Sequence, residues 1–365
     1  MSNVFNYKNQ KFIMAISLFA VLALTVGAFV ATSRPDLKLA TRKAQDAIKR
    51  NELNTAENLL KDFLTAGESR FGQDSVELVP TLTELGNLYR REGRLNDSIA
   101  AYKRASDIEQ KGMKPSLLSL TNSLTGLGLA YVQQGKYVAA ENLLQQALTI
   151  REDNLPAGSP QIAESECNLA HLYFQAKHYP ESEALFKEAQ EIYDKQPGVD
   201  SVQSANLRND LASLYYMEGK YAQAEPLYQW ALSTLQKSSG GDSIEVANTL
   251  NNLGELYRSE KHYADAQPRF EQAISIYEKV SGKDSSSVAN SCNNLAIVCQ
   301  MQGNKSEAEL LYKRALGIYQ SDKTANNLAL ANVMENYREL LRGSGRTAEA
   351  DALTQTINSR IAQSK

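Results

Sequence analysis

The chain has 365 residues, with 39 basic and 42 acidic side chains interspersed along it and a net charge of -3. That balance excludes a dedicated nucleic-acid binder, because such proteins concentrate positive charge in one stripe or face. Three cysteines, an odd number, imply no disulfide framework, and the length alone would allow about two or three globular domains.

Residues 1–11 form a short tail carrying Lys8 and Lys11. From Phe12 to Ala31 there is no charge, and only Ser17, Thr25 and Gly27 interrupt the apolar run. Wound as a helix, residues 12–31 span about 30 Å, the hydrocarbon thickness of a bilayer. Two readings follow. A cleaved signal peptide has an apolar core of about 7–15 residues, and this run is longer. Val26-Gly27-Ala28 is a small-residue site inside the run, and Ala31-Thr32-Ser33 is followed at once by Arg34 and Pro35. The expectation is an uncleaved single-pass anchor, with residues 32–36 as a linker; cleavage would make the chain secreted. Sidedness is argued from both flanks. A short basic tail ahead of the first span tends to stay in the cytoplasm, which places the rest outside. Arg34, Lys38, Arg42, Lys43, Lys49 and Arg50 argue the other way, but long folded domains translocate with little regard to charge. The expected location of residues 37–360 is therefore extracytoplasmic.

Beyond the linker, a period of 42 residues governs the chain. Leu85-Gly86-x-x-Tyr89 returns as Leu127-Gly128-x-x-Tyr131, Leu169-Ala170-x-x-Tyr173, Leu211-Ala212-x-x-Tyr215, Leu253-Gly254-x-x-Tyr257 and Leu295-Ala296-x-x-Cys299. A fixed period of this size means a solenoid, propeller or array. Each copy has a second half: Tyr102, Leu144, Phe186, Tyr228, Phe270 and Tyr312 form a large column, and Ala105, Ala147, Ala189, Ala231, Ala273 and Ala315 follow three residues later. Spacings of three and four mark one face of a helix. Gly93, Gly135, Gly219 and Gly303 lie between the halves, where a helix end takes the left-handed conformation. Lys177 and Lys261 replace glycine in two copies, so those turns are expected to close differently. Asp74, Ser116, Asp200, Asp242 and Asp284 share one register between copies and are expected to cap the following helices.

Each copy is thus a pair of antiparallel helices. Clear copies run over about residues 75–325. A degraded leading unit holds Ala44, Ala47, Ala56, Leu60 and Phe63, and a degraded trailing unit holds Tyr337, Leu341, Gly345 and Ala350, with a polar tail at 361–365. Atypical end units are expected of a repeat array. The expected fold class is all-α: a solenoid of about eight helical hairpins over 37–360, preceded by one transmembrane helix, with no break in the register.

The small residues at Gly86 and Ser98, the tyrosine column and the alanine column resemble the tetratricopeptide repeat. The unit of 42 residues, with Val246-Ala-Asn-Thr-Leu-Asn-Asn-Leu-Gly254 and Ala224-Glu-Pro-Leu-Tyr228, looks like the kinesin light chain type. The resemblance covers about residues 37–360. It implies a right-handed superhelix and a groove whose asparagines engage extended peptides.

The residues themselves carry an asparagine pattern. Asn122, Asn206, Asn248, Asn290 and Asn332 form one column, with Glu164 in the remaining copy; Asn209, Asn251 and Asn293 form a second column three residues on. At about 100° per residue, these lie roughly 140° around the helix from the Leu-Gly-Tyr stripe. His171, Phe174, Tyr216 and Arg258 lie further along the same face. A side-chain amide offers donors and an acceptor together. Helices stacked about 10 Å apart would present one such amide to every third residue of a strand rising about 3.3 Å per residue. The expected partner is an extended segment of a protein, held mainly by its backbone. The same amides could instead tie neighbouring helices together, or be inert surface. The structural reading is preferred for a third set, Asn168, Asn252, Asn294 and Asn336. A self-associating solenoid without a peptide ligand is the alternative to a peptide-binding scaffold.

No catalytic constellation, cofactor motif or metal-ligand spacing is expected. Gly343-Ser-Gly345-Arg-Thr-Ala348 matches a dinucleotide fingerprint in letters only, because it falls at a turn between helices with no strand before it. His171 and His178 are seven residues apart, not the four of a metal pair. Cys292 and Cys299, about 10 Å apart along one helix, are too distant for a disulfide.

Overall fold

The computed structural model describes residues 37–50, 52–112, 116–196, 201–321 and 327–363. The apolar segment 12–31, its flanks 1–11 and 32–36, Asp200 and residues 364–365 lie outside the described residues. No helix among the described residues is long and apolar enough to cross a membrane. All regular structure among them is helical, apart from turns and one 3₁₀ turn at Val76–Leu78.

Two compact units divide the chain after Asn154, at a point where the repeat register itself shows no break. The first contains α1 (Leu37–Lys49), α2 (Leu53–Phe71), α3 (Val79–Arg91), α4 (Leu95–Lys111), α5 (Leu117–Gln133) and α6 (Tyr137–Asn154). The second contains α7 (Pro160–Gln175), α8 (Tyr179–Asp194), α9 (Val202–Met217), α10 (Tyr221–Ser239), α11 (Ile244–Ser259), α12 (Tyr263–Ser281), α13 (Ser286–Met301), α14 (Lys305–Ser321), α15 (Asn327–Arg342) and α16 (Thr347–Gln363). Consecutive helices pair as hairpins, three in the first unit and five in the second.

Inside a hairpin, the small column of the first helix lies under the large column of the second. A Cβ on Gly86 would come within 2.8 Å of the Tyr102 ring, one on Gly128 within 2.8 Å of Leu144, and one on Gly254 within 2.7 Å of Phe270. Real side chains tolerate no such approach, so the two helices are drawn together by what these positions lack. Ser98 and Ser182 donate to the carbonyls of Gly86 and Ala170 at 2.8 Å and fix the same crossing. The alanine column Ala105, Ala147, Ala189, Ala231, Ala273 and Ala315 is fully buried or nearly so. The degraded units pack in the same manner: Ala44, Ala47, Ala56 and Leu60 at one end, Tyr337, Leu341 and Ala350 at the other.

Helix ends differ from two expectations. Lys177 and Lys261 adopt φ of 63° and 64°, the same left-handed conformation as Gly93, Gly135, Gly219 and Gly303. The turns therefore close identically, and the next amide bonds back across the helix end in each, as in His178 N–H to Tyr173 O at 2.8 Å. The hairpin geometry outweighs the cost, about 1–2 kcal/mol, of this conformation for a residue with a Cβ. Capping is performed by serine. Ser201, Ser243 and Ser285 stand one residue after the expected register and accept the N–H of the third residue on. Ser116 does so at the register itself. Asp242 pairs with Lys279 at 3.1 Å instead.

Adjacent hairpins are joined by a repeated phenol–carboxylate bond. Tyr89 donates to Glu57 at 3.2 Å, Tyr215 to Glu183 at 2.9 Å, Tyr257 to Glu225 at 2.9 Å and Tyr337 to Glu309 at 3.0 Å. A cation from the following turn joins three of these: Arg94 at 2.9 Å, Lys220 at 3.5 Å and Arg346 at 2.6 Å. Lys61 first, then Arg94, hold the Glu57 carboxyl at about 2 against the opposing effect of burial. Arg346 and Lys313 hold Glu309 at about 2 in the same way.

Candidate functional site

The first helices of the five hairpins in the second unit bring the asparagine columns onto one face. In the outer column, Asn206, Asn248, Asn290 and Asn332 are exposed, as is Glu164 in α7. The side chains of Asn206 and Asn332 make no hydrogen bond among the described residues. Asn248 and Asn290 each accept one bond at 2.6 Å, from Tyr277 and Tyr319 in the second helix of their own hairpins. Those bonds orient the amides and leave both Nδ2 groups open. Asn122, exposed in the first unit, accepts from Arg151 at 3.3 Å in the corresponding arrangement.

The second column is half-buried and bonded between hairpins. Asn209 accepts from Asn252 at 3.2 Å and Asn293 from Asn336 at 2.9 Å. At the junctions between, the pattern changes: His171 meets Asp210 at 2.8 Å and Asn294 donates to Glu255 at 2.9 Å. Asn251 joins this second kind of junction, donating to Glu255 and accepting from Ser291, both at 2.9 Å. The polar ladder along the stacked first helices thus alternates every second hairpin. Its members tie helices together, and only their unused lone pairs and N–H groups remain for anything else.

Between α9 and α11 the two columns enclose an open depression of about 260 Å³, lined by Asn206, Asn209, Asp210, Glu245, Asn248 and Thr249. His171 reaches it through Asp210. Burial lowers the imidazole pKa, but the hydrogen bond and charge of Asp210 outweigh it, and the ring is held above its ordinary value. The His171 ring also stands edge-on to Phe186, 5.3 Å between centroids. Tyr216 and Arg258 lie outside this depression. Tyr216 shares a 2.9 Å hydrogen bond with Ser259, which links α9 to α11, and packs on Tyr221. Arg258 is half-buried, with its Nε unbonded.

A second depression, about 560 Å³, lies in the first unit among α1, α3 and α5 and includes Ile48, Glu84, Asn87, Leu88, Arg90 and Arg91. It is absent from the sequence reading. Its signal is present, since Arg90 stands in the column of Phe174, Tyr216 and Arg258, and Asn87 in that of His171. Among the described residues no group of three or more histidine, cysteine, aspartate or glutamate side chains could hold a metal ion. The three cysteines are free, and burial pushes the Cys292 and Cys299 thiols up to about 11.

This architecture of paired helices at a 42-residue period is matched by the tetratricopeptide repeat family model over residues 76–153, 161–237, 231–279 and 245–321. The chain belongs to the tetratricopeptide repeat family. It is a scaffold of the protein-interaction type, and no curated protein matches it. Solved structures similar to this tetratricopeptide repeat chain include one of putative kinesin light chain repeats from Podosopora anserina, at 22% identity over 54% of this chain and 92% of that one, with a TM-score of 0.48. A signal transduction ATPase with a tetratricopeptide repeat sensor from Pyrococcus horikoshii is similar at 15% identity over 89% of this chain and 47% of that one, TM-score 0.63. A Rap protein complexed with Competence and Sporulation Factor is similar at 16% identity over 90% and 92%, TM-score 0.58. At these identities the likeness is one of fold.

Proposed function

We propose that this tetratricopeptide repeat protein is a membrane-tethered adaptor that holds an extended segment of a partner protein along the asparagine face of its first helices. The observation that carries the reading is the state of the outer column. Asn206, Asn248, Asn290 and Asn332 stand exposed on successive first helices with donors that no neighbouring side chain uses, and Asn206 and Asn248 share one depression. A backbone laid across them would find a donor and an acceptor at each hairpin, whatever its side chains. The ladder residues Asn209, Asn251 and Asn293 support the face from beneath.

The tether is residues 12–31, argued from length and lack of charge, with the repeats on the extracytoplasmic side. Carbonate extraction of membranes tests the anchor, and protease protection in intact cells tests the side. For the binding face, the full-length chain in mild detergent is panned against a phage-displayed library of random peptides. Recovery of peptides that bind the native chain and fail on the Asn206→Ala, Asn248→Ala, Asn290→Ala variant supports the reading. Equal binding to both, or no enrichment above background, removes it. The alternative, self-association through hairpin faces, predicts a mass that grows with concentration in light scattering.

A further inference from the structure

The depression between α9 and α11 differs chemically from an uncharged asparagine face. Glu245 is half-buried, and its carboxylate has no hydrogen bond or ion pair among the described residues. Asp210 has a single partner, His171 on α7, which engages Oδ2 and leaves Oδ1 open. Asn248 and Asn209 present carbonyl oxygens that each hold one bond already, and the Asn206 amide holds none. No lysine or arginine lines the space. Arg208, on the same helix as Asp210, is buried beneath it, bonded to Ser204 and Asp194 and laid over Trp230 with its guanidinium 3.9 Å from the ring centroid. Along α7 to α13 the face offers Glu164, Asp210, Glu245 and Glu255 against Arg258 and, when protonated, His171.

We propose that this depression is the subsite for a basic side chain, lysine or arginine, of the segment held along the asparagine face. The proposal rests on the peptide-binding reading and adds the charge of the occupant. Two carboxylates across a gap between helices, with no cation of the chain's own to neutralise both, favour a positive head group brought by a partner. The volume, roughly nine waters at about 30 Å³ each, admits an ammonium or guanidinium with part of its hydration. Asn206 and Asn248 sit on either side, where they would meet the flanking peptide groups. A free metal ion is a poorer occupant, because two carboxylates without a third anionic or imidazole ligand give a hard cation too few charged oxygens.

The test uses the same phage-displayed random library on three full-length proteins in mild detergent: native, Asp210→Asn with Glu245→Gln, and Asn206→Ala with Asn248→Ala. Circular dichroism establishes that each is folded. The two carboxylate replacements keep the side-chain shape and remove the charge, and each amide retains one carbonyl oxygen as an acceptor, which at position 210 can still meet His171. The expected result is enrichment of lysine or arginine at one fixed position among peptides bound by the native chain. That preference should vanish in the Asp210→Asn, Glu245→Gln protein, and a selected basic peptide, synthesised with a fluorophore, should bind it about tenfold more weakly, as befits two half-exposed ion pairs. Peptides that depend on Asn206 and Asn248 but show no basic position would overturn this inference and leave the peptide-binding face standing. Failure to enrich any peptide would remove both.

Discussion

The most direct test of the division between the two asparagine columns is thermodynamic. Replacing Asn206 and Asn332 by alanine removes the two outer amides that have no side-chain hydrogen bond, so each loss gives only the helix-propensity gain, about 0.5 kcal/mol, and the pair is stabilised by about 1 kcal/mol. Asn248 and Asn290 each accept one phenol, from Tyr277 and Tyr319 at 2.6 Å. Those tyrosines are buried, and a phenol left without its acceptor costs about 1–3 kcal/mol, so these two amides stay in place for this comparison. The ladder behaves differently. Asn252→Ala with Asn336→Ala removes two bonds that cross between hairpins and strands the Oδ1 atoms of Asn209 and Asn293. Each stranded, half-buried acceptor costs about 1–3 kcal/mol, so after the propensity gain the pair is destabilised by about 1–5 kcal/mol. At about 2–4 °C per kcal/mol for a unit of this size, differential scanning fluorimetry separates the two variants. The outer pair should melt at or slightly above the native chain, and the ladder pair should fall below it. An outer pair that melts as low as the ladder pair would show that the exposed amides hold the helices together, and the argument for a binding face would fail.

Three further outcomes follow from the hairpins themselves. Lys177→Gly and Lys261→Gly should each stabilise by about 0.5–1 kcal/mol, because relief of the left-handed backbone, about 1–2 kcal/mol, exceeds the added entropy of glycine in the unfolded chain, about 0.4–1 kcal/mol; an unchanged or lowered denaturation midpoint would contradict the assignment of those turns. Gly126→Ala would drive a Cβ into the edge of the Tyr102 ring, which already lies against Gly86, and overpacking of this kind costs about 1–3 kcal/mol against a propensity gain of about 1 kcal/mol; Tyr102→Leu in the same chain should recover most of the loss in a double-mutant cycle. Acid stability should carry the signature of Glu57 and Glu309. Their folded pKa values, about 2, lie below the ordinary glutamate value of 4.5, so their contribution is complete above about 4.5 and is lost as pH falls towards 2; Glu57→Gln with Glu309→Gln should flatten the dependence of the unfolding midpoint across that window, and a slope unchanged by the pair would place the acid sensitivity elsewhere.

Much of the hairpin was legible from residues alone because the register never slips. Five copies of Leu-small-x-x-Tyr and a sixth ending in Cys299, each followed by a large and an alanine column, leave only one way to interlock two helices, and the glycines at 86, 128 and 254 lie where the ring or branched chain leaves no room for a side chain. What escaped was information held between copies. Lys177 and Lys261 carry no local sign of a left-handed turn; the geometry of their hairpins imposes it. The serine caps at 201, 243 and 285 lie one residue beyond Asp200, Asp242 and Asp284, since capping propensity does not distinguish such neighbours. The glutamates at 57, 183, 225 and 309 formed a column in plain view, but their role appears only when tyrosines from the next hairpin are brought beside them. The asparagines illustrate the same limit: Asn206 and Asn209 are chemically identical and three residues apart, and only the position of Asn252 shows that one is engaged and the other open.

That separation also explains how a repeat array can vary its binding face without losing its stack. Junctions between first helices use Asn209–Asn252 and Asn293–Asn336 in one kind of hairpin step and His171–Asp210 and Glu255–Asn294 in the other. Either set satisfies the half-buried polar atoms, so the ladder tolerates different residues as long as donors meet acceptors. The outer asparagines hold no bond between hairpins: each bonds only within its own hairpin or not at all. Substitution at Asn206 or Asn332 changes what the face presents at little cost to stability. On the proposed reading, Glu164 in place of asparagine, and the placement of Asp210 and Glu245 beside Asn206 and Asn248, would be differences in what is recognised. They would bias an otherwise backbone-reading surface towards a partner of one charge.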